Sequence, residues 1–427
     1  MKNDGPKEFT VSRFSAYYIL IVCCLLYMVN YMDRQVFAVA VEPMKLELGL
    51  SDSQMGVIQT CFLMGMALFA FPAAYMVDRW SRRKAISLMA VLWSAFTFIT
   101  GLGKSFTSVL VPRVLVGVGE AGFASGGTPL IAAAFPQEKR SRVMGIFNLA
   151  IPLGSGLGMI LGGSIAKTYG WRVPFYAFAV PGLVLGMLAL FMKDYKTVRH
   201  LDDTGRRIGF FTAAVSLFRI PTLKWLYFGF AMQNVMAFSF LSWAPAYVMR
   251  VQGVDAAKAG MTVGIIGLMA IFGSILGGIW ADLWQKKSER GRMLTCATGL
   301  IIASALYSFS VINEFTGIGF TIGIVFGIFL VVGIPATSAI SQDVVPPSLK
   351  GVSWGMNVFC MYVLGGGWGP MAVGAISDTV GGGAHGLKLG LLFSTLGSIA
   401  GALCYLMGSK HYAADMEKVR GLVMEAE

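Results

Sequence analysis

The sequence contains little charge. Asp, Glu, Lys and Arg together make up 13% of its 427 residues, whereas hydrophobic residues make up 56% and the mean hydropathy is +0.68. Soluble domains carry about 25% charged residues, so this composition excludes an ordinary soluble chain. Apolar runs of about 20 residues recur along the sequence, which is the length that an α-helix needs to cross a bilayer. We therefore predict an all-α polytopic membrane protein.

Groups that bind metals or perform acid–base catalysis are also scarce. The three histidines, His200, His385 and His411, lie in predicted loops or in the tail. The six cysteines lie in apolar runs without ligand spacing, which is typical of packing residues: Cys23, Cys24, Cys61, Cys296, Cys360 and Cys404. We predict no catalytic residue, no metal site and no cofactor, and an intramembrane enzyme is the least favoured class of function.

The apolar segments predict twelve transmembrane helices in two pseudo-symmetric six-helix bundles. The predicted spans are roughly residues 15–40, 53–77, 84–103, 106–133, 143–167, 172–193, 223–249, 256–282, 292–313, 316–339, 350–376 and 386–408. A polar interruption separates the first six spans from the last six. The predicted domains are an N-terminal bundle (1–193), a cytoplasmic linker (194–222) and a C-terminal bundle with a short cytoplasmic tail (223–427).

The distribution of positive charge predicts the orientation. If both termini lie on one side of the membrane, 25 of the 34 Lys and Arg residues fall on that side, 7 fall on the other and 2 lie inside spans. The positive-inside rule places the N and C termini in the cytoplasm. The formal charge of +12 then reflects topology and contact with membrane lipids, and we predict no nucleic-acid partner. We expect a monomer in a bacterial inner (plasma) membrane.

Two similar charged stretches indicate an internal duplication. The sequence reads AYMVDRWSRRK from Ala74 and GIWADLWQKK from Gly278. Each stretch ends an apolar run and places an acidic residue four positions after a small one and shortly before a basic cluster. Such repetition in both halves is typical of chains built from two related bundles. We predict that these stretches gate the cytoplasmic side, and the predicted gating residues are Asp78, Arg82, Arg83, Asp282, Lys286 and Asp343.

Matched glycines support the duplication. At an offset of 211 residues (365 − 154), four glycines of the fifth span match four of the eleventh: Gly154 with Gly365, Gly156 with Gly367, Gly158 with Gly369, and Gly163 with Gly374. Small residues let helix backbones approach closely within lipid. We therefore expect these two spans to present equivalent faces for close packing.

Four ionisable residues lie inside predicted spans: Asp33, Arg34, Arg113 and Glu120. Each unpaired charge near a helix centre costs about 2.5–3.5 kcal/mol on insertion scales, so we expect these groups to be paired or hydrated. Depth along the helices predicts an Asp33–Arg113 pair and leaves Arg34 to face Glu120. We interpret the four residues as a proton-coupling relay. A static structural salt bridge is the alternative.

The second half offers polar and aromatic groups in place of buried charges. Arg34 could hold a carboxylate or phosphate through two hydrogen bonds. The full set of predicted substrate-binding residues is Asn30, Tyr31, Arg34, Gln233, Asn234, Trp243, Asn357 and Tyr362. For each residue of the second half, an ordinary helix–helix hydrogen bond is the alternative.

The two charged stretches resemble the signature of the major facilitator superfamily, and the sequence from Arg113 to Gly119 resembles its fourth-helix motif, which is linked to proton coupling. NYMDR (from Asn30), VGVGEA (from Val116), IPLGSGLG and VGAISD look most like the spinster-type branch. That branch includes lysolipid and sphingolipid-phosphate exporters. The adjacent Asp33 and Arg34, together with Glu120, also resemble the organic anion:cation symporter branch, whose members take up sugar acids.

These resemblances imply that Asp33, Arg34 and Glu120 couple protons to transport. We therefore expect a proton-coupled secondary active transporter that works by alternating access on a small organic substrate, anionic or amphipathic, such as a lysolipid. Its expected partners are this substrate, protons and membrane lipids. A sugar-acid/proton symporter for uptake is one alternative. A transport-inactive receptor or scaffold on the same fold, or a channel, would belong to another class, and the sequence leaves symport or antiport open.

Overall fold

The computed structural model describes residues 11–194, 215–346 and 349–424. Inside these ranges, the side chains of a few residues are not described: Phe71, Asp78, Arg79, Gln137, Ser141 and residues 420–424. Most of the predicted linker therefore lies outside the described residues. All regular elements within the described ranges are helical.

The helices form two sets. The amino-terminal helices are α1 (Arg13–Leu48), α2 (Asp52–Arg79), α3 (Arg82–Gly101), α4 (Phe106–Glu120), α5 (Phe123–Ala134), α6 (Gln137–Tyr169) and α7 (Val173–Ala189). The carboxy-terminal helices are α8 (Pro221–Gln252), α9 (Ala256–Leu268), α10 (Ala270–Lys287), α11 (Gly291–Ile312), α12 (Gly317–Phe329), α13 (Gly333–Asp343), α14 (Lys350–Cys360), α15 (Gly369–Thr379) and α16 (Gly383–Met424).

Local sequence determines where these helices begin and end. Gly49 ends α1 with a φ of 66°, the left-handed conformation that favours glycine. Ser51 opens α2 with a capping box: its hydroxyl accepts from the Gln54 N–H, and the Gln54 side chain accepts from the Ser51 N–H. Asp255 caps α9 by accepting from the Lys258 N–H. These caps let the chain reverse direction within a few residues.

Ten helical stretches in the described residues are long and apolar enough to cross a membrane. The shorter apolar helix α7 and the helix α8 occupy the positions predicted for two further spans. Some helices extend beyond the predicted spans, since α1 reaches Leu48 and α16 reaches Met424. Hydropathy marks the apolar part of a helix, whereas the helix itself continues until a cap or a break ends it. The chain is an all-helical polytopic membrane protein.

Some predicted spans are interrupted near their middle. The fourth predicted span is divided into α4, which ends at Glu120, and α5, which begins at Phe123, and together they form one membrane-spanning stretch. The eleventh predicted span is broken between α14 and α15 by a π-helical turn, Met361–Gly365, and a 3₁₀ turn, Gly366–Trp368. Irregular backbone at membrane depth is tolerated where protein or a cavity surrounds it, and π turns are frequent at functional sites. Both breaks therefore mark places where a site could form.

The fifth predicted span, α6, lies between the two sets of helices. Gly154 lies against the backbone of Met28 on α1, and Gly163 lies against the backbone of Ala256 at the start of α9. Because these positions lack side chains, the α6 backbone can approach a helix of its own set and a helix of the other set at once.

The eleventh predicted span makes the equivalent contacts. Gly365 lies against the backbone of Ala231 on α8, a helix of its own set, whereas Gly374 lies against Asp52 on α2 of the other set. The glycines matched in the sequence thus occupy matched positions in the packing. This correspondence supports the predicted duplication.

The described ion pairs between the two sets lie at one end of the molecule. We call the end at which α1 joins α2 the Gly49 end, and the end at which α2 joins α3 the Ser81 end. At the Gly49 end, Arg250 of α8 donates to Glu42 of α1 at 2.8 Å and to Asp52 of α2 at 2.7 and 2.8 Å. The two sets are therefore fastened together at the Gly49 end.

Candidate functional site

Arg34 of α1 and Glu120, the last residue of α4, form a buried ion pair. The Arg34 Nε donates to Glu120 Oε2 at 2.8 Å, and Arg34 Nη2 donates to Asn30 Oδ1 at 2.9 Å. The guanidinium carbon lies 4.3 Å from the centre of the Tyr31 ring. The Glu120 side chain is fully buried, whereas 13% of the Arg34 side chain is exposed. The structure thus brings Arg34, Glu120, Asn30 and Tyr31 together, with Arg34 as their centre.

The predicted pairing of Asp33 with Arg113 is wrong for this structure. Both side chains are described and fully buried, and they form no ion pair. Asp33 Oδ2 instead accepts a 2.7 Å hydrogen bond from Thr97 on α3. Depth along two helices set the prediction, but depth does not determine which way each side chain turns around its helix axis.

Arg113 is held by other groups. Its Nη2 lies 3.5 Å from Gln59 Oε1, and its guanidinium stacks over the rings of Phe37 and Phe62 at 4.9 and 4.5 Å. Cation–π contacts of this kind are stronger when the cation is shielded from water. Arg113 therefore rests in an aromatic and amide environment beside the Arg34–Glu120 pair.

Several polar atoms of this charged group make no hydrogen bond: Asp33 Oδ1, Glu120 Oε1, Asn30 Nδ2, and Arg113 Nε and Nη1. Buried polar atoms normally have partners, and leaving one without a partner costs about 1–3 kcal/mol. Carboxylate acceptors and guanidinium donors of this charged group are thus both left without hydrogen-bond partners within the protein.

Aromatic side chains form a wall beside the ion pair. Tyr27 stacks on Phe147 with ring centres 4.6 Å apart, and it meets the edge of Tyr31 at 5.2 Å. Phe123, the first residue after the α4 break, packs between Tyr27 and Trp93. An apolar wall next to a cation suits a ligand that carries both an anionic and an apolar part.

The broken α14–α15 segment meets this region from the other set. Tyr362, in the π turn, stacks on Phe238 with ring centres 5.5 Å apart, and it packs in one apolar cluster with Phe62 and Met66 of α2. Asn357 is fully buried, and neither its amide nitrogen nor its oxygen makes a hydrogen bond. Asn357 thus keeps unused hydrogen-bonding capacity one helical turn before the π turn.

The other predicted substrate-binding residues make contacts within their own set. Gln233 Oε1 accepts from the Tyr405 hydroxyl at 3.0 Å. Asn234 donates to a carbonyl oxygen of its own helix. Trp243 donates to the Pro370 carbonyl at 2.9 Å and is 1% exposed. For these three residues, ordinary helix–helix hydrogen bonds are what the structure shows, so their binding roles stay predictions.

The predicted gating residues lie at the Ser81 end. Arg292 of α11, which the sequence analysis did not select, bridges Asp343 at 2.6 Å and Asp282 at 3.1 Å, and Tyr412 also donates to Asp343. Lys286 is exposed at the end of α10. All of these residues belong to the carboxy-terminal helices, so these contacts do not join the two sets.

The amino-terminal helices have their own contacts at this end. The Ser81 hydroxyl and the Arg83 N–H donate to Asp194, while Arg82 is buried at the start of α3. The side chain of Asp78 lies outside the described residues. The predicted gating residues are therefore placed at one end, but each described contact stays within one set.

Besides Arg292, sequence reasoning missed two further features. Thr97 and Gln59, the partners of Asp33 and Arg113, look like ordinary polar residues within spans. Asp52 and Arg250, which join the two sets, lie close to span ends, where charged residues are normal. Within the described ranges, no group of three or more His, Cys, Asp or Glu side chains is placed to hold a metal ion.

A family model described as Major Facilitator Superfamily matches residues 23–370. The chain belongs to the Major Facilitator Superfamily. It is a transporter of this superfamily and not an enzyme, and it is a multi-pass integral membrane protein of the bacterial inner membrane.

Three relatives are similar to this chain in sequence over most of its length. An MFS-type efflux pump of Mycolicibacterium smegmatis is 28% identical over 405 residues, covering 92% of this chain and 93% of the relative. The sphingosine-1-phosphate transporter SPNS2 of Danio rerio is 29% identical over 375 residues, which cover 82% of this chain and 74% of the relative. The hexuronate transporter of Bacillus subtilis is 27% identical over 299 residues, which cover 68% of this chain and 70% of the relative. The similarity to spinster proteins predicted from the sequence is thus confirmed.

A solved structure shares the fold. The crystal structure of a bacterial homologue of the human lysosomal transporter spinster, in an inward-facing and unoccupied conformation, superposes with a TM-score of 0.82. The sequences are 22% identical, and the match covers 95% of this chain and 99% of that one. At this identity, the likeness establishes the fold alone.

Proposed function

We propose that this superfamily member is a proton-coupled secondary active transporter of a small organic substrate with an anionic group, working by alternating access. The buried Arg34–Glu120 pair is the observation that carries the proposal. The Arg34 side chain is partly exposed, and its Nε donates a hydrogen bond to Glu120. A substrate carboxylate or phosphate would need the same donors.

Competition for Arg34 provides a route to coupling. When Glu120 carries a proton, it loses the charge that holds Arg34, and the guanidinium becomes available to an anionic group. When Glu120 loses its proton, it takes Arg34 back and displaces the anion. Proton and substrate binding are then linked through one side chain, as any coupled carrier requires.

Asp33 and Arg113 extend this relay. Asp33 keeps one oxygen without a hydrogen bond, and Arg113 keeps two nitrogens without one. A proton gained or lost by Asp33 would change the charge next to Arg34 and Glu120.

We place the Gly49 end outside the cell, because the Ser81 end and both termini carry most of the positive charge. The helices before and after the linker would act as two six-helix bundles, 1–193 and 223–427, with twelve spans in total. Contacts at the Gly49 end are consistent with a state open toward the cytoplasm. The residues around Asp78 and Asp282 would then meet when the protein opens outward.

The substrate class follows from the chemistry around Arg34. The aromatic wall of Tyr27, Tyr31, Phe123 and Phe147 favours an amphipathic anion such as a lysolipid. The name of the relative SPNS2 also describes it as a transporter of a lipid phosphate, sphingosine-1-phosphate. A sugar acid is the second candidate, because the hexuronate transporter is also a relative and Asn357 offers an amide to a hydroxyl group.

Transport by purified protein in liposomes tests the proposal. A pH gradient across the membrane should drive accumulation of the correct anion, and a proton ionophore should abolish it. A thermal-shift screen against lysolipids and sugar acids at two pH values would select the substrate. If no anion from either class were bound or carried, a transport-inactive receptor or scaffold would be the better explanation.

A further inference from the structure

Asp52 is the centre of a buried polar network at the Gly49 end. Its side chain is 0% exposed, and it accepts hydrogen bonds from Arg250 of α8, Lys45 of α1 and Ser377 of α15 at 2.6–2.8 Å. Arg250 also donates to Glu42 of α1. A carboxylate removed from water is tolerated only when it is paired and hydrogen-bonded. Here the partners come from both sets of helices.

The first turn of α2 is held by the other set as well. Asp378, near the end of α15, accepts from the backbone N–H of Asp52 at 3.2 Å and from that of Ser53 at 2.7 Å. Such N–H groups lack partners within their own helix, and the helix start carries partial positive charge. Asp378 therefore caps α2 from the opposite set of helices.

The equivalent contact between α6 and α9 has different chemistry. At the offset of 211 residues (378 − 167), Lys167 is the counterpart of Asp378, and it meets Asp255, the cap of α9, at 2.9 Å. These side chains are 56% and 43% exposed, and exposed ion pairs contribute little. Lys167 holds the pKa of Asp255 below its ordinary value, but water and salt screen this attraction.

A crevice also lies beside the α6–α9 contact. It has a volume of about 320 Å³ and is lined by Lys167, Ala166, Glu42, Met249 and Arg250, among others. The ion pair on the α6–α9 side of the Gly49 end is thus exposed beside a surface crevice, whereas the charged groups on the α2–α15 side are largely buried.

We propose that the contact between α2 and α15 is the latch of the Gly49 end. Asp52, Arg250, Ser377 and Asp378 form this latch, while the Lys167–Asp255 pair on the other side contributes little to closure. Opening withdraws Arg250, Ser377 and Asp378 from α2, so Asp52 keeps Lys45 of its own set but loses its partners from the other set, and the first N–H groups of α2 lose the Asp378 carboxylate. The latch therefore favours the state closed at the Gly49 end. This inference rests on the alternating-access function proposed above.

A cysteine probe inside the closed contact tests the proposal. Thr60 is 3% exposed and accepts from the Met371 N–H of α15 at 3.2 Å, so a cysteine in its place reports opening between α2 and α15. A membrane-impermeant maleimide is applied to each face of the membrane in turn, and the labelling rate of Thr60→Cys is measured. Protein without this substitution gives the background from the native cysteines.

Asp52→Asn should raise the labelling rate from the Gly49 side about ten-fold or more, because Arg250 then loses its buried partner. Asp378→Asn should raise it by a smaller factor. The matched variant Asp255→Asn, at the equivalent contact, should change the rate less than about two-fold. Unfolding temperatures in detergent show that each variant is folded.

Equal labelling rates for Asp52→Asn and the parent would overturn the proposal, and so would a larger effect of Asp255→Asn. Arg250→Gln is the second route to the same result if Asp52→Asn does not fold. Failure of both variants to fold would assign the network a structural role and also reject the latch. The measurement needs neither substrate nor a pH gradient, so a latch can be demonstrated even if the proposed transport fails.

Discussion

The hydroxyl of Thr97 on α3 donates a 2.7 Å hydrogen bond to Oδ2 of Asp33 on α1, and Asp33 has no exposed surface. The other oxygen of Asp33 makes no hydrogen bond. The Thr97 hydroxyl thus provides the described hydrogen bond of a buried carboxylate and connects two helices at the same time.

Thr97→Val should therefore destabilise the protein. It replaces the hydroxyl with a methyl group of similar size and leaves both oxygens of Asp33 without a partner, which costs about 1–3 kcal/mol. Thermal unfolding in detergent measures the loss. Thr100→Val is the matched control, because Thr100 is equally buried but bonds to the Phe96 carbonyl of its own helix. Equal losses in the two variants would contradict a special role for the Thr97 bond.

Arg34 should not tolerate lysine. Its Nε and Nη2 hold Glu120 and Asn30 at once, and a single ammonium group cannot reproduce that geometry. We expect Arg34→Lys to lower the rate of substrate transport about ten-fold or more, with little loss of folded protein. Arg172→Lys is the control, since Arg172 also pairs with a glutamate, Glu47, but at the exposed Gly49 end; it should transport within about two-fold of the parent.

Glu120→Gln separates binding from coupling. The amide keeps the size of the side chain but can neither hold Arg34 by charge nor exchange a proton, so Arg34 stays available to substrate. We expect substrate exchange across the liposome membrane at equal pH to continue, whereas accumulation driven by a pH gradient is lost. Undiminished gradient-driven accumulation would remove Glu120 from the coupling mechanism.

Much of the fold was predictable because its determinants are periodic or repeated. Apolar runs predicted the membrane helices, and the offset that relates Gly154 to Gly365 predicted equivalent packing before any contact was known. The contact of Arg34 with Glu120 was predicted by elimination, because depth had paired Asp33 with Arg113 and left these two charges over. These arguments depend on distances along the chain, which the sequence contains.

Contacts that depend on rotation about a helix or on the docking of distant helices were not predictable. Asp33 and Arg113 have compatible depths, yet Asp33 turns toward Thr97 and Arg113 toward Gln59. Asp52 looks like a solvated residue at a helix start until Arg250 is brought onto it from 198 positions away. Polar residues near span ends are too common for a single sequence to reveal such partners.

The close contact of Gly154 with α1 should be sensitive to size. A side chain there would meet the backbone of Met28, so Gly154→Val must push α6 away from α1, at a cost of about 1–3 kcal/mol. Gly145→Val on the same helix is the control, because a Cβ at Gly145 meets nothing within 4 Å. A lower unfolding temperature for Gly154→Val alone is the expected result, and equal unfolding temperatures would argue against close α1–α6 packing.

The carboxy-terminal end of α16 should stabilise the start of α8. α8 begins at Pro221 without a side-chain cap of its own, and Asp415 supplies one by accepting from the N–H and the hydroxyl of Thr222 at 3.1 and 2.8 Å. Because loss of a helix cap costs about 0.5–2 kcal/mol, Asp415→Ala should lower the unfolding temperature measurably, whereas Glu417→Ala, at an exposed position of the same helix, should not. The segment predicted as a short tail would then be a structural part of the carboxy-terminal helices. Equal unfolding temperatures for the two variants would show that the Asp415 contact does not stabilise α8.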